Sequence, residues 1–466
     1  MTRSVARCTF GTWALAVAAV GSVSAAPPPS PTPPASVRGA ADWPSFLGPT
    51  GDGKSPETGI RTDWSGGGLR LVWQRRLGVS YGIGSVSRGR FYQWDRYGDA
   101  ARLTCLDART GRELWHVEFP TAYEDLYGYN GGPRCSPVID EDRVYLYGAE
   151  GMLYCVRAAD GGVVWQVDTA ARFGVVQNFF GVGSTPVVEG RLLIVMVGGS
   201  PPESRDVSLG QLERVVPNGT GLVAFDKHTG AVVYRTADEL ASYAVPKLAT
   251  IHGRRWCFAF CRGGLVGFDP ATGKVAFHYP WRARLLESVN AATPVVVGDQ
   301  VFISETYGPG SSLLRVRPGG CDVVWRDGVS SRQKALQTHW NTPIHHAGYL
   351  YGCSGRHTPQ AELRCVEWAT GNICWRAPGM TRSSLLYVDG HFVCLEETGE
   401  LRLVKANPER FEPVAEMRVQ DQNGTSLLNY PCWAAPILSH GLLYVRGKDR
   451  LVCLELIPGA GASSAR

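Results

Sequence analysis

The stretch LTCLDARTGRELW, residues 103–115, decides how the chain folds. A short apolar run ends in Asp107, a Thr-Gly pair turns the chain at Gly111, and Trp115 closes a second run. This is the pattern of a β-hairpin: the aspartate bonds forward into a type I turn, and glycine supplies the positive φ at its end. A lone hairpin is marginal in water. This one recurs. LYCVRAADGGVVW (153–165), LVAFDKHTGAVVY (222–234), LVGFDPATGKVAF (265–277) and LRCVEWATGNICW (363–375) repeat it. Asp226 with Gly230, Asp269 with Gly273, and Gly371 hold the turns, while Trp165 and Trp375 close their copies. Degenerate copies end at Trp325 and Met417. A step of roughly 40–50 residues is that of propeller blades built from four strands.

Each hairpin is preceded by another strand pair that opens on Ser/Thr/Ala-Pro, as at Ser136-Pro137, Thr185-Pro186, Thr293-Pro294, Thr342-Pro343 and Ala435-Pro436. Proline is tolerated there because it occupies the first residue of a strand. A blade therefore runs strand A, turn, strand B, loop, strand C, Thr-Gly turn, strand D. Seven passes are complete and one is split. Residues 435–456 supply strands A, B and C, and the orphan strand at 69–75 places Trp73 in the D position. Joining them closes the ring without an open edge. The expectation is an all-β, eight-bladed propeller of four-stranded antiparallel blades, with seven blades the alternative.

The 466 residues, 44% hydrophobic and 19% charged, are enough for a large core, and 56 Gly with 30 Pro suit a turn-dense β fold. Net charge is +5 with no basic run, which argues against nucleic acid as a partner. Arg3 and Arg7, the apolar run 10–20 and Val23-Ser24-Ala25 read as a secretory signal over residues 1–25. No lipobox cysteine follows it. Residues 26–40 read as a Pro-rich linker, 41–458 as the propeller and 459–466 as a disordered tail. After signal removal no membrane span is expected, and the product is a periplasmic or secreted monomer. Thirteen cysteines would ordinarily suggest disulfides. Cys105, Cys155, Cys365 and Cys453, however, share the strand C slot that Ala224 and Gly267 fill elsewhere, so the slot wants a small apolar residue. Most cysteines are expected to be free, with one cross-link among Cys353, Cys374 and Cys394 the exception considered.

The Asp-x-x-Thr-Gly-x-x-x-Trp hairpin resembles the repeat of the PQQ-like (pyrroloquinoline-quinone) β-propellers of the quinoprotein-alcohol-dehydrogenase-like superfamily. The opening ADWPSFLGP at 41–49 is similar to a secreted branch of that family, and the resemblance extends over about 41–457. It implies a propeller. It also implies two functional cousins. Quinoprotein alcohol dehydrogenases hold PQQ over Ca²⁺, usually beside a vicinal disulfide; no two cysteines here are adjacent, and Glu287 and Asn290 are the nearest approach to ligands. The lipoprotein propeller of outer-membrane protein assembly binds partners, and this chain lacks its lipid attachment cysteine.

Connectivity places the D→A and B→C loops on one face and the short, regular turns on the other. The long loops (94–100, 122–132, 198–218, 305–311, 356–360 and 421–432) share the first face, where binding usually resides. Residues leading into strand A should ring the mouth of the central channel. They are Tyr81; Tyr129, Asn130 and Arg134; Gln177, Asn178 and Phe179; Tyr243; Glu287 and Asn290; His339, Trp340 and Asn341; Arg382; Asn429, Tyr430 and Trp433. Amides that donate and accept, beside flat aromatic faces, suit a sugar, a peptide segment or a planar cofactor. Trp115, Trp165, Trp325 and Trp375 read as packing residues. His345 and His346 are adjacent on a strand and face opposite ways, so no metal site is expected. The reading is an exported, non-catalytic binding or scaffold module for a protein, peptide or carbohydrate. The alternatives are a PQQ/Ca-dependent oxidoreductase of alcohols or sugars and a cell-envelope assembly scaffold.

Overall fold

The computed structural model describes residues 37–460 apart from 177, 178 and 287. The expected signal and most of the expected linker and tail lie outside these residues. Two edges of the domain extend further than the sequence reading drew them: Val37, from the expected linker, and Ala460, from the expected tail, are both buried against the last blade, where Gly441 leaves room for them.

The described strands form eight four-stranded antiparallel sheets arranged as an eight-bladed propeller. The first blade runs Ser85–Ser87, Arg90–Tyr97, Ala100–Asp107 and Glu113–Pro120. The eighth joins the two ends of the chain: Ile437–Ser439, Leu442–Arg446 and Arg450–Glu455 are completed by Arg70–Arg76, with Arg70 opposite Glu455 and Arg76 opposite Arg450. Its inner strands are tied to the first blade by a buried ion pair, Arg446 Nη1 to Asp95 Oδ1 at 2.5 Å. Burial pushes the Asp95 carboxyl up, and the Arg446 charge opposes that shift.

The repeat has a packing reason. In the turn after strand C, Asp107 Oδ1 accepts from the Arg109 and Thr110 amides at 3.1 and 2.9 Å, and Asp226 accepts from His228 and Thr229 at 3.0 Å each. The glycine that ends the turn receives the aromatic ring closing the preceding blade. A Cβ on Gly111 would lie 2.6 Å from Trp73, on Gly161 2.8 Å from Trp115, on Gly230 2.8 Å from Trp165, on Gly273 2.6 Å from Tyr234 and on Gly371 2.8 Å from Trp325. Four of the closing indoles bond the turn of the next blade: Trp73 Nε1 donates to Ala108 O, Trp165 Nε1 to Lys227 O, Trp325 Nε1 to Trp368 O and Trp375 Nε1 to Asn407 O, at 2.8–3.1 Å. Across its own blade each ring faces the small slot of strand C, Cys105 opposite Trp115, Cys155 opposite Trp165, Ala224 opposite Tyr234 and Gly267 opposite Phe277, beside a β-bulge. Hence the slot's preference for small side chains. The twelve described cysteines are all free, Cys353, Cys374 and Cys394 among them, so the cross-link considered from sequence is not formed. Cys374 is exposed on an outer strand, whereas Cys353 and Cys394 are buried in inner ones.

The Ser/Thr-Pro signature has a second use besides placing proline. Its hydroxyls stitch neighbouring blades around the channel: Thr185 Oγ1 accepts from the Ser136 amide at 3.1 Å and Thr342 Oγ1 from the Thr293 amide at 3.0 Å, while Ser85, at the start of the first blade's strand A, donates from Oγ to Pro137 O at 2.7 Å. Residues 43–55 then run across the lower end of the channel, below the strand A ring. Trp43 exchanges two 2.8 Å backbone bonds with Val86, the Ile139 amide donates to Pro44 O, and the Tyr387 amide donates to Gly53 O. Lys247 Nζ donates to Thr50 O and Gly51 O at 2.8 and 2.6 Å. Four blades therefore grip this segment. Among the described residues no helix is long and apolar enough to cross a membrane.

Candidate functional site

Above that segment lies a cavity of about 580 Å³, floored by Phe46 and Leu47 and opening on the long-loop face. Ten of the residues expected at the channel mouth line it, Tyr81 among them: the others are Tyr129, Arg134, Tyr243, His339, Trp340, Asn341, Arg382, Tyr430 and Trp433. Asn130, Phe179, Asn290 and Asn429 do not. Asn130 Oδ1 accepts from the Gly132 amide at 2.7 Å within its own loop. Asn290 is fully buried and its Nδ2 donates to Cys261 O at 2.8 Å and Trp281 O at 3.2 Å. An amide ahead of strand A satisfies loop backbone in these two cases. Gln177, Asn178 and Glu287 lie outside the described residues.

The lining is a pair of aromatic arcs. On one side the rings form an unbroken series: Tyr81 to Trp433 at 4.9 Å, Trp433 to Trp340 at 4.8 Å, Trp340 to His339 at 4.7 Å and His339 to Tyr307 at 5.5 Å between centroids. The facing arc runs Tyr127, Tyr129, Phe180 and Tyr243 at 5.8–6.3 Å. Contacts of this kind contribute about 0.5–1.5 kcal/mol each beyond area burial. Summed along an arc, that holds the rings in place without a ligand.

Three guanidiniums line the same cavity, and they are not equivalent. Arg382 lies 4.5 Å from the Trp340 ring and 5.4 Å from the Trp433 ring, while its Nε and Nη2 both donate to Glu397, at 3.0 and 2.7 Å. Its Nη1 donates to Arg356 O. Trp433 Nε1 donates to the same Glu397 carboxylate at 2.9 Å, and Thr358 Oγ1 at 2.6 Å. Burial pushes the Glu397 carboxyl up, but the bonds from Arg382, Thr358 and Trp433 outweigh it and hold the group below its usual range. Arg382 is thus committed to orienting the two indoles. Arg134 is likewise committed to its loop: Nη2 meets Asp125 Oδ2 at 2.5 Å and Asn130 O at 2.9 Å, and Nη1 donates to Gly132 O at 2.7 Å. Arg356 differs. It lies 4.4 Å from the Tyr307 ring, and among the described residues no carboxylate stands within ion-pair distance of it.

His339 Nε2 meets the Tyr307 hydroxyl at 3.0 Å. Burial, helped by the charges of Arg382, Arg356 and His357, pushes its imidazole down to about 3. It is a neutral aromatic ring in this setting. Burial also raises Tyr81 to about 12, against the opposing pull of Arg134, so its phenol stays protonated. Asn341 is spent on the backbone, Oδ1 accepting from the His339 amide and Nδ2 donating to Cys353 O. The cavity therefore presents aromatic faces, the unbonded ring nitrogens Trp340 Nε1 and His339 Nδ1, and in Arg356 one guanidinium without a carboxylate partner among the described residues. Tyr307, Arg356, His357, Tyr127 and Phe180 complete it and are absent from the ring drawn from sequence, which followed the segments entering strand A. Tyr307 and Arg356 come from B→C loops whose length had marked them.

A calcium ion takes six to eight oxygen ligands rich in carboxylate. The described lining holds no Asp or Glu and three guanidiniums, and no three metal-ligating side chains cluster among the described residues. These residues do not fit the calcium of a quinoprotein site.

A family model described as outer membrane protein assembly factor BamB matches residues 70–199 and 99–377. The chain belongs to the PQQ-like repeat family. Solved structures share the PQQ-like fold at low identity. BamB from Moraxella catarrhalis is 12% identical, with 83% of this chain and 97% of that one covered at a TM-score of 0.53. Quinohemoprotein alcohol dehydrogenase from Comamonas testosteroni is 14% identical, with 91% and 81% covered at 0.57. No curated protein matches the PQQ-like chain in sequence.

Proposed function

We propose that this PQQ-like propeller is an exported binding module that receives an apolar or aromatic ligand segment bearing an anionic group in its central cavity. The observation that carries the reading is the five-ring arc from Tyr81 to Tyr307 beside the unpaired Arg356. Rings offer stacking surface, and a guanidinium without a partner favours a carboxylate or phosphate. A sugar is the poorer match, because Asn341 and the strand A hydroxyls are already bonded and leave Trp340 Nε1 and His339 Nδ1 to meet its many hydroxyls. Among the classes considered from sequence, a peptide segment of a partner protein fits best. Placement outside the cytoplasm rests on the N-terminal signal pattern and on the name of the matched family, an outer-membrane assembly factor.

The test is native mass spectrometry of the protein isolated from its own cells, beside Trp340→Ala and Arg356→Ala. A bound species in the parent that both variants lose supports the reading. Its retention by both variants overturns it, and so does dye-reducing activity toward alcohols after addition of PQQ and Ca²⁺.

A further inference from the structure

A second cavity, of about 560 Å³, lies off the channel axis across blades two to four, beneath the insertion at 198–218. Its volume is in the range of small-molecule sites, about 300–1,000 Å³. It shares a wall with the central cavity: Gly183 borders both, and a Cβ there would lie 2.4 Å from the Tyr243 ring. The two spaces adjoin at Gly183, and the second has different chemistry.

Its walls are aliphatic, with Val175, Val182, Val197, Leu212 and Leu240 prominent. Its charged groups sit at opposite sides. Arg262 comes from the B→C loop of the fourth blade, between Arg254–Phe260 and Gly264–Phe268. Glu150 comes from the B→C loop of the second, between Arg143–Tyr147 and Met152–Arg157, with Glu124 beside it in the wall. One whole blade lies between the two loops.

Arg262 is the anomaly. Its side chain is 7% exposed, and neither Nε nor Nη2 has a hydrogen-bond partner. Among the described residues the carboxylate within ion-pair distance, Glu213 of the insertion, stands 3.8 Å away and instead meets Arg282 at 2.6 Å, while Glu239 accepts from the adjacent Gly263 amide at 2.9 Å. One carboxylate thus serves two guanidiniums. A buried charge normally comes with a partner of its own. At the other side Glu150 Oε1 is also buried and unbonded. A guanidinium and a carboxyl group, each with buried polar atoms left unbonded and with aliphatic wall between them, describe the complement of a zwitterion whose charges are at its two ends.

We propose that this cavity binds a short peptide of apolar residues with free termini, its carboxylate on Arg262 and its ammonium toward Glu150 and Glu124. The site is independent of the reading given for the central cavity.

The test is calorimetric titration of the full chain with Leu-Val-Leu, with its C-terminal amide and with its N-acetyl form. Leu-Val-Leu should bind one-to-one, and each blocked form at least tenfold more weakly. Arg262→Met should reduce Leu-Val-Leu to the affinity of the amide. Val175→Trp, which fills the space from a half-buried position, should abolish binding of all three and serves if Arg262→Met does not fold. Trp340→Ala, in the central cavity, should leave the titration unchanged. The proposal is overturned if the parent chain does not bind Leu-Val-Leu, if either blocked form binds as tightly, if Val175→Trp retains binding, or if Trp340→Ala loses it.

Discussion

At His339 the imidazole Nε2 meets the Tyr307 hydroxyl while burial, with three cationic neighbours, takes its pKa down to about 3. The unfolded chain regains a value near 6.5. Between those values the unfolded state holds a proton that the fold lacks, so stability rises with pH there. The contribution is complete above about pH 6.5 and is lost as the pH falls toward 3. The expected outcome is a His339 ring signal that does not titrate in NMR spectra between pH 5 and 8. His339→Gln should also show a smaller loss of stability to urea between pH 7 and pH 5 than the parent. Glu397 behaves in the ordinary acidic sense, since its folded pKa is lowered and its contribution disappears on acidification through that value. Its side chain is 0% exposed and that of Arg382 12% exposed. Removing one member of such a pair costs about 3–5 kcal/mol. Glu397→Ala should therefore lower the unfolding free energy by about that much, and quench the environment-dependent emission of Trp433 in the same preparation.

Elements are joined by rings seated on turns, and two glycines separate sterics from backbone strain. Gly230 has φ +71° with the Trp165 ring where its Cβ would be, whereas Gly253 has φ +72° with nothing within 4 Å. Alanine at either pays the same left-handed penalty, about 1–2 kcal/mol. The excess loss for Gly230→Ala over Gly253→Ala in chemical denaturation is then the docking term, expected at about 1–3 kcal/mol, the cost of overpacking. Equal losses would mean that the ring swings aside freely. This docking is also why the blades were legible in the sequence. Asp107, Gly111 and Trp115 each answer to a local demand of turn or seat that recurs in most copies, so the pattern repeats. The site residues answer to no shared demand. Asn290 and Asn341 each lie just ahead of strand A and each give their amide to loop backbone, yet only Asn341 lines the cavity, so the residue type and its phase do not by themselves mark a lining position. Arg356 and Tyr307 enter from the other class of loop, and their convergence depends on the angular spacing of blades, which no single copy records.

For the molecule as a whole, the ring holds because its first and last blades share Arg446 and Asp95, each with a side chain 2% exposed. Arg446→Leu leaves an uncompensated carboxylate and should cost about 3–5 kcal/mol, and Arg446→Leu with Asp95→Leu should recover most of it. Urea unfolding of both variants checks the difference. Closure itself was readable, since Trp73 occupies the D position of a blade whose other strands lie at the opposite end of the chain. The crossing of residues 43–55 was not. ADWPSFLGP carries no strand period, and its backbone pairs with one strand edge here and another there instead of forming a sheet. That crossing turns a tube into a cup. A chain-like guest entering from the long-loop face therefore meets Phe46 and Leu47 at the floor and offers its tip or a bent finger, not its length.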